Sequence, residues 1–239
     1  MDRIPERLQQ IREQVSAAAL AAGRQPADVT LVAVSKGHPA AAIRAAYAAG
    51  QRDFGENYVQ EWQGKAQELA DLQDLRWHFI GHLQRNKVKL VIGKVHLLHT
   101  ADDMQGIDEM ARHAWGLGLR QDVLLQVNLA AEQQKRGCTE DDAELFADVL
   151  LRSPGLRLCG LMTLPPDLDD PEAVRPYFRR LRLLGDRLRG YLADQGAPSD
   201  SAPWLLSMGM SGDFAVAIAE GATHVRVGTA IFGDRARPA

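Results

Sequence analysis

Eight short apolar runs, each followed by a segment of helix length, span the chain, and this alternation limits the fold more than any other feature of the sequence. The runs are TLVAVSK (30–36), RDFGEN (52–57), RWHFIG (76–81), VHLLHTAD (95–102), DVLLQVNL (122–129), LRLCGLMTL (156–164), WLLSMG (204–209) and HVRVGTAIFG (224–233). Strands buried on both faces read as continuous apolar runs, and regular strand–helix alternation specifies a parallel sheet. The intervening segments predict helices over Pro39–Gly50, Tyr58–Ala70, Leu83–Lys94, Met104–Trp115, Thr139–Leu151, Pro171–Gln195 and Gly212–Glu220. Before the first run, Ile4, Leu8, Ile11, Val15, Ala18 and Ala22 repeat at helical spacing until Gly23 stops them. The expectation is an α/β fold: a single (β/α)8 TIM barrel over 1–239 with an extra N-terminal helix. An open doubly wound sheet is its competitor. The polar stretch GAPSDSAP (196–203) lies inside a repeat unit and reads as a connection.

The 239 residues, 46% hydrophobic and 25% charged, suffice for one such domain with a sizeable core. Lysine and arginine number 28 against 31 acidic residues, so no whole-molecule field attracts nucleic acid or an anionic membrane. Any anion site must be local. Two cysteines, Cys138 and Cys159, give no disulfide framework, and no His/Cys set has metal-ligand spacing. The N-terminal MDRIPERLQQIREQV lacks the apolar centre of a signal peptide, and no segment reaches the roughly 18 apolar residues of a membrane helix. A cytoplasmic location is expected.

Function in such a barrel sits at the C-terminal ends of the strands. Those ends are polar here: Ser35-Lys36, Gly55-Glu56-Asn57, His78 and Gly81-His82, His99-Thr100, Gln126 and Asn128, Met162-Thr163, Ser207-Met208-Gly209, and Arg226-Val227-Gly228-Thr229. Lys36 follows an apolar strand, where desolvation favours the neutral, nucleophilic amine suited to a Schiff base. In SMGMSGD (207–213), the Ser211 and Gly212 amides are candidate phosphate donors. Gly228 and Thr229, after the eighth run, could complete the cup. Barrel closure makes strands seven, eight and one neighbours, so one small phosphorylated aldehyde could span the amine and the cup.

The motifs LVAVSK, FGENYVQE, WHFIGHLQ-x-NK, E-x-x-K-x-G (132–137), GLMT, and SMGMS-x-D with V-R-x-G-T-A-I-F-G resemble those of the YggS/PROSC family. These are pyridoxal 5′-phosphate (PLP) homeostasis proteins, related to the N-terminal barrel of bacterial alanine racemases. The resemblance runs from about residue 3 to residue 233. It implies PLP as cofactor, held as a Schiff base on Lys36, with Ser211, Gly212, Gly228 and Thr229 at its phosphate. Arg226 matches the arginine facing the pyridine nitrogen, while Asn57, His82, Met162 and Ser207 occupy motif positions near the cofactor. Gly37-His38, Arg85 and Gly212 depart from the common pattern.

An arginine cannot accept the ring proton and disfavours the pyridinium that usual PLP catalysis exploits. The second base of the racemase relatives, a tyrosine on a C-terminal domain, has no counterpart before the chain ends six residues after Gly233. The resemblance therefore implies a monomeric PLP carrier or buffer, with PLP-requiring apo-enzymes as recipients and no catalytic residue or metal. A PLP-dependent racemase-like enzyme is the alternative, and a Schiff-base aldolase without PLP a third reading. Lys135 is weighed as a transient PLP acceptor against a loop lysine paired with Glu132.

Overall fold

The computed structural model describes residues 3–132, 134–197 and 204–234. Eight parallel strands close a barrel in chain order: β1 Thr30–Val34, β2 Asp53–Glu56, β3 Arg76–Phe79, β4 Leu97–Ala101, β5 Gln121–Gln126, β6 Leu156–Met162, β7 Leu205–Ser207 and β8 His224–Val227. Strand β8 pairs back onto β1, with Val32 beside Arg226 and Ala33 beside Val227. The TIM barrel read from the alternation is present, and closure excludes the open sheet. Nine helices appear among the described residues: α1 Ile4–Ala21, α2 Ala40–Ala48, α3 Val59–Glu68, α4 Val88–Val91, α5 Met104–Gly116, α6 Ala143–Arg152, α7 Arg175–Asp194, α8 Phe214–Ala219 and α9 Thr229–Phe232. From 198 onward, the connection read at 196–203 lies outside the described residues.

Two expected elements depart most from the pattern. The helix expected over Leu83–Lys94 is a 3-10 turn, Arg85–Lys87, followed by the single turn α4. Val88, Val91 and Ile92 are β-branched and weak helix formers, and the chain leaves through extended Ile92 and Gly93, whose φ is +79°. The eighth run was read as strand to 233, but β8 stops at Val227. Gly228 turns the chain into α9, its carbonyl accepting from Ile231 and Phe232 N–H.

Alternation along the strands divides the interior into two compartments. Outward residues such as Phe54, Phe79, Leu98, Leu125 and Val225 join Ile43, Ile107, Leu150, Phe178 and Ile218 of the helices in the main core. Helix α1 buries Ile4, Leu8, Ile11, Val15 and Ala19 against α2, α8 and α9. Full burial of a side chain such as Leu8 contributes about 1.5–3 kcal/mol. Inside the barrel, Leu97, Leu124 and Met162 form a small separate apolar cluster. Next to that cluster, His78, His99, Ser207, His224 and Arg226 are buried.

Candidate functional site

Lys36 lies two residues beyond β1 and is half-buried. Its neighbours are fixed by a cluster that begins with Glu56 at the end of β2. Ser35 Oγ donates to Glu56 Oε1 at 2.6 Å; Lys65 Nζ, from α3, donates to the same oxygen at 2.6 Å and to Ser35 O at 2.8 Å. Lys65 also pairs with Glu61 at 2.7 Å, and Glu61 accepts from Gly37 N–H at 2.5 Å. The residues on both sides of Lys36 are thereby held. Burial pushes the Glu56 carboxyl upward, and Lys65 opposes that shift.

Two further loops rise at the same end of the barrel. After β7, Met210 N–H donates to Asp213 Oδ1 at 2.5 Å and shapes the turn carrying half-buried Ser211 and exposed Gly212. After β8 come half-buried Gly228 and exposed Thr229. Among the described residues, none accepts a hydrogen bond from the amides of Ser211, Gly212, Gly228 or Thr229. A Cβ at Gly212 would enter open space. One at Gly228 would stand 3.1 Å from Val34 O, so glycine there lets the β8 loop lie against β1. Four amides on adjoining loops, next to the Lys36 loop, suit an anionic group such as a phosphate.

Arg226 is buried and bridges three strands: Nη1 donates to Ser207 Oγ at 2.6 Å, and Nη2 to Thr163 O at 3.0 Å. Burial pushes its guanidinium down to about 10, against the pull of Asp213. Met162 pairs in register with Ser207 and packs in the internal apolar cluster. The expected residues Met162, Ser207 and Arg226 thus meet directly, with Gly228, Thr229 and Lys36 on the adjoining loops.

Asn57 and His82 lie on the loops after β2 and β3, on the other side of the Lys36 loop from β8. Asn57 is half-buried and its Oδ1 has no hydrogen-bond partner among the described residues. A Cβ at Gly81 would collide with Asn57 O, so the glycine permits these two loops to touch. His82 Nδ1 stands 2.7 Å from Asp102 Oδ2. Together with Asp103 these two could present ligand atoms within 4.8 Å of one another, but Asp103 is already engaged as the N-cap of α5 through Gly106 N–H. His82, Arg85, Asp103, Gln105 and Arg136 line a cleft of about 680 Å3. Lys135 donates to Glu132 Oε1 at 2.7 Å and to Pro165 O at 2.8 Å, the plainer of its two expected states.

The alanine racemase N-terminal domain family matches residues 7–236. A pyridoxal phosphate homeostasis protein of Aquifex aeolicus is 45% identical over 96% of this chain and 97% of its own. The chain belongs to the pyridoxal phosphate homeostasis protein family. A second member, from Pseudomonas aeruginosa, is 43% identical over 98% of this chain and 97% of its own. PipY of Synechococcus elongatus, solved with PLP bound, superposes with a TM-score of 0.82 at 39% identity, covering 96% of this chain and all of that one. The homeostasis-protein family inferred from the motifs is therefore the family of this chain, as is the racemase-type barrel.

Reading the sequence missed Lys65 and Asp53. Lys65 sits within a polar helix where only packing reveals its burial. Asp53 opens β2 and, like His78 on β3, His99 on β4 and His224 and Arg226 on β8, is a polar residue next to apolar ones in its strand, and that period-two polarity was the available signal.

Proposed function

We propose that this homeostasis-family chain binds PLP at the barrel mouth, retains it covalently on Lys36, and buffers or supplies it with little or no turnover. The observation that carries the reading is the placement of four amides, without acceptors among the described residues, beside a lysine whose flanking residues are pinned by a buried ion pair. PLP supplies an aldehyde that a primary amine captures as an imine with loss of one water. The amides of Ser211, Gly212, Gly228 and Thr229 bind its phosphate. Asn57 offers an unmatched carbonyl oxygen, His82 is oriented by Asp102, and Met162 backs the lumen beneath.

Arg226 supports the carrier reading. Its side chain is a donor with no acceptor, so it can bond a ring nitrogen only through that nitrogen's lone pair, which leaves the ring a weak electron sink. PLP-dependent apo-enzymes are the recipients this implies, and a monomer in the cytoplasm is the working arrangement. No helix among the described residues is long and apolar enough to cross a membrane.

The test is spectroscopic. Protein reconstituted with PLP should be yellow, and borohydride should fix the cofactor to the peptide containing Lys36. Lys36→Ala should lose the fixed label, and neither form should turn over a panel of D- and L-amino acids. A label on another lysine would overturn the site, whereas rapid racemisation dependent on Lys36 would overturn the carrier role.

A further inference from the structure

A continuous buried chain of hydrogen bonds crosses the barrel from Arg226 to the opposite face. Arg226 Nη1 reaches Ser207 Oγ at 2.6 Å, and Ser207 Oγ lies 2.8 Å from His99 Nδ1. His99 Nε2 lies 3.0 Å from His78 Nδ1, and His78 Nε2 lies 3.0 Å from Asp53 Oδ1. Asp53 also receives Nε and Nη2 of Arg76, at 2.7 Å and 2.6 Å. This lower end opens on a second cleft of about 400 Å3, lined in part by Arg12, Gln51, Arg52, Asp53 and Arg76.

The hydrogens on this chain have little freedom. An arginine donates and never accepts, so Ser207 Oγ is the acceptor at the top. An ionised carboxylate accepts and never donates, so His78 must present N–H to Asp53 at the bottom. Burial raises the Asp53 carboxyl, but the bonds from Arg76 and His78 outweigh it and hold the group ionised, well below the usual carboxylate range. With hydrogen on His78 Nε2, Nδ1 is bare and accepts from His99 Nε2–H. His99 Nδ1 is then bare and accepts the Ser207 hydroxyl.

Reversing the chain would set a bare His78 nitrogen against the carboxylate and aim a His99 N–H at an oxygen already receiving Arg226. The first conflict is the larger. The other charged or titratable neighbours are His96 and His224, whose rings lie 5.5 Å and 5.9 Å from His78, with His224 also 6.1 Å from His99, and Asp213, which acts on Arg226.

We propose that Asp53, on the face of the barrel opposite the cofactor mouth, sets the direction of this hydrogen-bond wire, and that the wire holds Arg226 in place as a donor to the PLP ring nitrogen. Asp53, His78, His99 and Ser207 are positioning residues that act through Arg226. Only the upper end of the proposal rests on the PLP reading, and the wire itself exists without the cofactor.

The experiment separates the two. Nitrogen-15 spectra of apoprotein at pH 7.5 should show His78 and His99 as Nε2–H tautomers. In Asp53→Asn, whose amide can either accept or donate, both tautomers of His99 should be populated. Ser207→Ala, a mild change at the other end, should leave them as in wild type. PLP affinity should fall about threefold to tenfold in Asp53→Asn, the equivalent of one hydrogen bond to Arg226.

A wild-type His99 with hydrogen on Nδ1, or an imidazolium His78, overturns the proposal. So does a Ser207→Ala protein in which His99 changes tautomer, because the direction would then be set from the top. That readout decides the matter even if Asp53→Asn fails to fold. Correct tautomers in a protein that binds no PLP would leave the wire standing and remove the cofactor reading.

Discussion

Lys65 Nζ stands 2.6 Å from Glu56 Oε1 with both side chains almost entirely buried, at 7% and 0% exposure. The pair ties α3 to the end of β2, and Ser35, just beyond β1, joins it through both its hydroxyl and its carbonyl. Glu56 Oε2 has no partner among the described residues, so the carboxylate depends on a single oxygen for all its compensation. Any loosening of this pair therefore reaches the residue preceding Lys36.

Removing one member of a buried pair strands the other, which typically costs about 3–5 kcal/mol, whereas replacing both with neutral groups is often close to neutral. Lys65→Met should lower the unfolding free energy by about that amount in urea titrations. The double variant Lys65→Met with Glu56→Gln should recover most of the loss. A single variant within about 1 kcal/mol of wild type would show that Ser35 alone satisfies the carboxylate.

The barrel was legible because strand runs such as LVAV (31–34) and VLL (123–125) are apolar on both faces, a pattern that an α/β sheet requires. The strand-end rule then pointed to Lys36, Ser207 and Arg226 as candidates. What stayed hidden was tertiary. Nothing local distinguishes Lys65 from the exposed lysines, and Leu83–Lys94 has helix-like apolar content but is β-branched where the chain must turn back. The eighth run looked like one strand because TAIF is as apolar as VRV, and only Gly228 marks the change.

Two glycines at the mouth should behave oppositely. A methyl at Gly81 would collide with the Asn57 carbonyl, so Gly81→Ala must push the β2 and β3 loops apart, at a cost of about 1–3 kcal/mol and with weaker PLP binding as Asn57 and His82 shift. Gly212→Ala meets open space and should leave stability within about 0.5 kcal/mol of wild type. Its affinity for PLP should nevertheless drop, because the new methyl occupies the approach to the amides. Thermal melts and PLP titrations of the two proteins separate crowding by the fold from crowding by the ligand. Unchanged affinity in Gly212→Ala would place the phosphate elsewhere.

Both cysteines should be inert in the folded protein. Burial is the main cause at each: it pushes the Cys138 thiol up to about 12 and the Cys159 thiol up to about 11. The thiolate is the reactive form and is scarce at neutral pH. A disulfide-exchange reagent at pH 7.5 should label neither residue at an appreciable rate before urea is added, and both afterwards. Rapid labelling of native Cys159 would indicate local opening of β6.

The histidines inside the barrel should make the protein acid-sensitive well above the range where carboxylates titrate. His224 is pushed down to about 3, chiefly by burial; burial also holds His99 well below the ordinary value. An unfolded histidine titrates near about 6.5. Between those values the unfolded chain binds the extra proton, so stability is full above about pH 6.5 and is lost progressively as pH falls toward the folded value. Asp53 works in the same direction at lower pH, since its lowered carboxyl loses its stabilising effect only below about pH 3.9. Each unit of depression corresponds to about 1.4 kcal/mol. Urea midpoints measured from pH 7.5 down to pH 4 should fall steeply in wild type and less steeply in His224→Gln, which titrates no proton. Parallel profiles would mean that His224 takes up its proton without unfolding, through water admitted from the Asp53 end of the barrel.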